Sequence, residues 1–232
     1  MDYKFLEQTL LFRSVSSEDL KTMLSCLGTE EKSYPKGAMI CYAGDVVRSF
    51  GLVLSGRVQI ESIDPWGNVS VLDSIAPGSV FAETYACLSG EPLMVNAVAA
   101  KACSILFINA ARVLEVCPQA CPFHLRLVRN LLSISARKNM NLSRRIFHTT
   151  PKSIRGRLSS YLSFQAAQNR STEFTIPFNR QQLADYLGVD RSALSHELGK
   201  MQREGLLETE RNHFSLRLHK SEWQAHHQIG ED

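Results

Sequence analysis

Between Arg180 and Met201 the chain reads R-Q-Q-L-A-D-Y-L-G-V-D-R-S-A-L-S-H-E-L-G-K-M. Leu183, Ala184 and Leu187 recur at helical spacing, and Val189, Leu194 and Leu198 do so again after a break. Gly188 stands at the break, where a tight turn needs a residue at ease with positive φ. Ala184 is small where two helices must approach, and Asp190 offers a carboxylate to cap the second one. The spacing therefore predicts a helix-turn-helix. Arg191, Ser192, Ser195, His196 and Lys200 stay outside the apolar set, on the face that such a unit presents to the major groove of DNA. A helical hairpin with a merely solvated polar face has the same pattern, so the flanks decide between the two.

Before the motif, Phe174-Thr175-Ile176-Pro177-Phe178 is aromatic and β-branched and reads as a strand ended by Pro177. After it, Gly205 to Thr209 and His213 to Leu218 alternate around the polar turn Glu210-Arg211-Asn212, a β-hairpin wing. Charge adds to this. From Val116 to Thr172 there is no Asp or Glu, while Arg126, Arg129, Arg137, Lys138, Arg144, Arg145, Lys152, Arg155, Arg157 and Arg170 are all basic; the whole chain carries only +3. A solvated face mixes signs, so a span of one sign leading into a helix-turn-helix favours a polyanionic partner over a stripe that pairs with the chain's own acidic groups.

The remaining bounds are broad. At 232 residues and 44% apolar content the chain has material for two buried cores. No apolar run approaches the roughly 20 residues that span a bilayer, and the N-terminus leads into an amphipathic segment, so a cytoplasmic protein with no membrane partner is expected. Six cysteines, at 26, 41, 87, 103, 117 and 121, are then expected as reduced thiols. Phe5 to Leu27 has helical spacing, with Ser16-Ser17-Glu18-Asp19 as a helix start. From about Lys32 to Ile108 short runs such as Phe50 to Leu54, Val58 to Ile63, Val69 to Leu72, Val95 to Ala99 and Cys103 to Ile108 are punctuated by glycines, which predicts a β-sandwich or roll of many short strands.

Here the chain resembles the Crp/Fnr family of bacterial transcription regulators over nearly its whole length. Lys36-Gly37, Gly44-Asp45, Leu54 to Val58 and Pro77 to Glu83 carry the resemblance in the roll; Arg180 to Ser192 and Arg203 to Leu207 carry it at the other end. The resemblance implies an α+β protein with an N-terminal β-roll, double-stranded and jelly-roll-like, that senses an effector. A long dimerisation helix and a C-terminal winged helix-turn-helix follow. Partners so implied are double-stranded DNA, a second copy of the chain and RNA polymerase. The family's cyclic-nucleotide site holds the ribose with a Gly-Glu pair and the phosphate with an Arg-Ser pair. This chain keeps the acid in Ala82-Glu83 but reads Pro92-Leu93-Met94-Val95-Asn96-Ala97 at the second place. A buried phosphate without a cation is costly, which argues against cyclic AMP. An unidentified small-molecule effector is expected near Glu83, Tyr85, Leu93 and Met94. The family's iron-sulfur members carry an N-terminal cysteine cluster, and only Cys26 stands there. No cofactor is assigned.

Prolines 118 and 122 predict a short helix, a bend and then a long helix. On it Leu125, Val128, Leu132, Ser135, Asn139, Leu142 and Ile146 form a seam for a symmetry mate, while Leu127, Leu131 and Ile134 face the chain's own roll. At the joint, Cys117, Cys121 and His124 have the chemistry of a metal or thiol-switch site, though three ligands are an incomplete zinc set. They leave open a metal- or thiol-responsive regulator, or a ligand- or metal-binding protein with a vestigial helix-turn-helix. An enzyme built on these cysteines and His124 lacks a third group and an oxyanion motif, so none is expected.

The expected domains are 1–121, an effector-sensing β-roll with N-terminal helices; 122–148, the dimerisation helix; 149–220, the winged helix-turn-helix; and 221–232, a flexible tail. Arg191, Ser192, Ser195 and His196 are the base-edge candidates, and Lys152, Arg180, Gln181 and Lys200 the phosphate candidates. The family carries an acid at the place of Ser192 and an arginine at that of His196, so the half-site need not be the family's common one. With histidine there, binding is expected to strengthen below about pH 6.5, where free histidine protonates.

Overall fold

The computed structural model describes residues 1–115 and 123–217. The chain divides into two compact units, residues 1–138 and 139–232.

The first unit opens with helices α1 (Tyr3–Gln8) and α2 (Ser17–Cys26), capped by Asp2 and Ser16, whose side chains accept from the backbone of Phe5 and Asp19. Strands β1 (Glu30–Tyr34), β2 (Met39–Cys41), β3 (Ser49–Ile63), β4 (Val69–Ile75), β5 (Val80–Phe81) and β6 (Asn96–Asn109) form one antiparallel sheet in the order β1-β6-β3-β4, with β2 beside β6 and β5 beside β3. Helix α3 (Glu83–Cys87) follows β5, and α4 (Ala110–Leu114) follows β6 with Asn109 as its cap.

Two of these strands are longer than their sequence pattern suggests. The runs at Phe50 and Val58 are one strand, β3, and those at Val95 and Cys103 are one strand, β6. Their pairing shifts register three times between Val53 and Val58, around Gly56 at φ +78°. Bulges there bend both strands without ending them, so one ribbon serves both sides of the roll. Alternate residues then part company: Phe50, Leu52, Leu106 and Ile108 enter a core shared with α1 and α2, whereas Val53, Val58, Ile105 and Phe81 enter a second core.

Helix α5 (His124–Thr149) begins in this unit. Leu127 and Leu131 are buried in the first core and Ile134 packs at its edge. Asn130 Nδ2 donates to the carbonyls of Leu11 and Arg13 at 2.9 and 3.0 Å, and Arg126 donates to Ser14 at 2.7 Å.

In the second unit Ser153 caps α6 (Ile154–Asn169). Strand β7 (Glu173–Thr175), helices α7 (Arg180–Leu187) and α8 (Arg191–Arg203), and strands β8 (Leu207–Glu210) and β9 (His213–Leu216) complete it, with sheet order β7-β9-β8. Leu158, Leu162, Leu183, Leu187, Leu194, Leu198, Leu207 and Phe214 share its core.

Candidate nucleic-acid interface

The turn between α7 and α8 is built as its residues require. Gly188 is left-handed at φ +63° and its N–H, with that of Val189, closes α7. Asp190 caps α8 by accepting from the backbone N–H groups of Ser192 and Ala193 at 2.8 and 3.0 Å. The Ser192 hydroxyl also donates to that carboxylate; this bond first, then the backbone ones, holds Asp190 below the usual carboxylate range.

Three basic residues from the sequence's one-sign run fasten this unit from behind. Arg157 donates to the carbonyls of Pro151, Leu187 and Gly188 at 2.9, 3.0 and 3.0 Å, satisfying the C-terminal end of α7. Arg155 bridges Glu197 at 2.6 Å and makes a forked pair with Glu204 at 2.7 and 3.0 Å, tying α6 to α8 and raising its own pKa. Arg145 donates to the carbonyls of Asp185 and Tyr186, both at 3.1 Å. Part of the basic run is therefore internal scaffolding, a use that charge counting cannot separate from a binding surface.

Arg191, Ser192, Ser195, His196 and Lys200 are all exposed on α8, opposite the buried Leu194, Leu198 and Met201. Of the hydroxyls, Ser192 donates to the cap and Ser195 donates to the Arg191 carbonyl at 2.9 Å, so both face outward chiefly as acceptors. Beside this face lies a cleft of about 770 Å³ lined in part by Asn179, Arg180, Gln181, Arg191, Arg211 and Asn212. None of its three arginines has a carboxylate partner among the described residues. Arg211 forms the β8–β9 turn at φ +53°, at a position whose sequence predicts only a polar turn. A basic residue at the tip of a predicted wing was the available signal.

The phosphate candidates are placed differently from one another. Lys152 and Lys200 are exposed. Gln181 is exposed and donates to Asp185 at 2.8 Å. Arg180 is half-buried: it donates to Thr209 Oγ1 at 2.7 Å, lies 5.1 Å from the Phe214 ring centroid, and burial lowers its pKa. It thereby fastens α7 to the wing while lining the cleft.

In the first unit, Glu83 starts α3 directly after Ala82, which is left-handed at φ +61°. Its carboxylate is buried and pairs with Lys138 of α5 at 2.6 Å; Lys138 also donates to the Val80 carbonyl at 2.9 Å. Leu93 is buried in the second core with Tyr85 packed against it, whereas Met94 is 79% exposed. The structure thus joins Glu83 to α5, puts Leu93 in the second core with Tyr85 at its edge, and leaves Met94 on the surface.

Cys117 and Cys121 lie outside the described residues. His124 Nε2 donates to the Val113 carbonyl at 2.7 Å, which removes that nitrogen from metal ligation. Among the described residues no group of three His, Cys, Asp or Glu is placed to hold a metal. Burial pushes the thiols of Cys41, to about 11, and of Cys87 and Cys103 upward, away from the thiolate that redox chemistry needs. On α5, Leu125, Leu132, Leu142 and Ile146 of the expected seam are each more than half exposed. No described helix is long and apolar enough to cross a membrane.

Two family models match this chain in sequence order: a cyclic nucleotide-binding domain over residues 31–120 and a Crp-like helix-turn-helix domain over 156–221. The chain is 24% identical over 208 residues to a cyclic AMP receptor protein of Thermus thermophilus, covering 85% of this chain and 87% of that one. The solved structure of the c-di-GMP responsive global regulator CLP of Xanthomonas campestris is similar with a TM-score of 0.55 at 17% identity, covering 88% of this chain and 100% of that chain. The Thermus thermophilus catabolite activator protein gives a TM-score of 0.49 at 24% identity over 90% of this chain and 94% of that one.

Proposed function

Because the chain belongs to the Crp/Fnr family of transcription regulators, with a cyclic-nucleotide-binding-type sheet domain ahead of a Crp-like helix-turn-helix, we propose that it acts as a homodimer on an inverted-repeat operator. The two α8 helices enter major grooves about one helical turn apart. The observation that supports this most is the exposed face of α8, with Arg191, Ser192, Ser195, His196 and Lys200, beside an arginine-lined cleft free of carboxylate partners among the described residues. Arg191, Ser192, Ser195 and His196 read base edges. Lys152, Gln181, Lys200, Arg180 and, by its place at the wing turn, Arg211 meet phosphates.

Control runs through Glu83. A buried carboxylate needs its cation, and here α5 supplies it as Lys138. An effector that satisfies Glu83 competes with Lys138, and so biases the packing of the helix that carries the seam. The stretch from Pro92 to Ala97 brings no cation for a cyclic phosphate. Cyclic AMP and c-di-GMP, the ligands named for two relatives, are therefore not assigned to this chain. RNA polymerase is the partner expected of a bound regulator, and the role is recognition, not catalysis.

The test selects binding sites from a random duplex library and titrates the best site at several salt concentrations. The expected result is an inverted repeat whose affinity falls steeply with salt. Arg191→Ala relaxes base preference at one position, at a cost of about 1–3 kcal/mol; Arg211→Ala weakens all sequences alike and lowers the salt slope by about one. Equal affinity for every sequence, or no dependence on salt, overturns the reading.

A further inference from the structure

The second unit contains a cavity that the DNA-binding face does not use. It measures about 320 Å³ and lies where the end of α5, α6, the segment before α7 and α7 itself converge. Its walls are aromatic: Phe178 lies 5.1 Å from Tyr186 and 6.1 Å from Tyr161, and the His148 ring lies 5.1 Å from Phe164 and 5.5 Å from Tyr161. A purely structural aromatic core leaves two features without a use. The Tyr161 hydroxyl is buried and has no hydrogen-bond partner among the described residues, a state that is costly when no acceptor arrives. Arg144 lies 5.4 Å over the Phe164 ring and has no carboxylate partner among the described residues.

Charge selects the guest. The lining holds Arg144, three side-chain amides and no carboxylate. Burial first, and then Arg144, lowers the pKa of His148, which keeps that ring neutral near pH 7, with Ser160 Oγ 3.2 Å from its Nδ1. Aromatic cages often take quaternary ammonium groups, but such a cation here meets Arg144 and no counter-charge. A flat ring satisfies the walls by offset or edge contacts, an anionic group satisfies Arg144, and an acceptor atom satisfies Tyr161. We propose that this cavity is a binding site for a planar aromatic carboxylate of one or two rings, separate from the Glu83 region. The volume, at the small end for small-molecule sites, suits such a ligand. Its occupancy braces α7, the first helix of the helix-turn-helix, against α6.

Isothermal titration of the full chain with benzoate and 2-naphthoate tests this without reference to DNA. Cyclohexanecarboxylate serves as the non-aromatic acid and choline as the cation. The expected result is saturation by at least one aromatic acid at one per chain with Kd below about 1 mM, and at least about tenfold weaker binding of the other two compounds. Arg144→Gln weakens the aromatic acid at least about tenfold, and Tyr161→Phe, which keeps the ring, about threefold or more. No saturable heat from either aromatic acid, choline binding as tightly, or an unchanged affinity in Arg144→Gln overturns the proposal. Should Arg144→Gln lose its fold by circular dichroism, Tyr161→Phe decides, and unchanged affinity there overturns it equally.

Discussion

At Gly56 a Cβ would lie 2.1 Å from the Ala102 carbonyl oxygen and 2.7 Å from Cys103 Cα, in a backbone already at φ +78°. Strain and overlap coincide there, and neither neighbour is a flexible side-chain end. Gly67, at φ +84°, has nothing within 4 Å of the same position. Gly56→Ala is therefore expected to destabilise the first unit by about 3 kcal/mol or more, and Gly67→Ala by only about 1 kcal/mol. Chemical denaturation of the two variants checks the difference; equal losses would mean that the β3 and β6 bend yields. The sequence shows both residues as glycines in a β-rich region, and only the close approach of β6 tells them apart. The same limit applies to Lys138, whose charge reads as one of a basic run until α5 is seen to bring it to Glu83.

For single elements, local chemistry carries further. Asp190, Gly188 and Ala184 predict a helix-turn-helix, and each occupies the role its chemistry suits: cap, left-handed turn and buried close approach. The cap also gives α8 a pH dependence. Because hydrogen bonds from Ser192 and the α8 backbone depress the Asp190 pKa in the folded state, its stabilisation is present above the usual carboxylate range and fades as pH falls through the lowered value. Glu204, depressed by Arg155, works in the same direction. Thermal melts from pH 6 to pH 3 should show the second unit losing stability more steeply in the natural chain than in Asp190→Asn, which retains a capping oxygen but no titration. Parallel slopes would remove Asp190 as a source of the acid sensitivity. Element length is less legible: bulges at Gly56 join runs that read as separate strands, because a bend and an end look alike when a glycine interrupts alternation.

For the whole molecule, the two apolar stripes on α5 have different fates. Leu127 and Leu131 are buried in the first core, whereas Leu125, Leu132, Leu142 and Ile146 remain exposed. Under the proposed dimer this second stripe is the seam, and Asn139 is a polar position within it. Leu132→Glu and Leu142→Glu are each expected to raise the dimer dissociation constant at least about 100-fold, since the substitution enters a symmetric interface twice. Sedimentation at several concentrations checks this, with helix content unchanged; a chain that sediments identically before and after substitution has no seam there. Periodicity, turn residues and capping by themselves predicted many short strands in a sandwich or roll, the long helix and the winged helix-turn-helix, because the elements themselves depend on neighbours within a few positions. The tertiary structure alone decided that Lys138 neutralises Glu83, that Arg155 and Arg157 hold the helix-turn-helix from behind, and that five aromatic rings, Tyr161 among them, line one cavity. These depend on which side chains meet across tens of residues, and a one-dimensional pattern carries no distance between them.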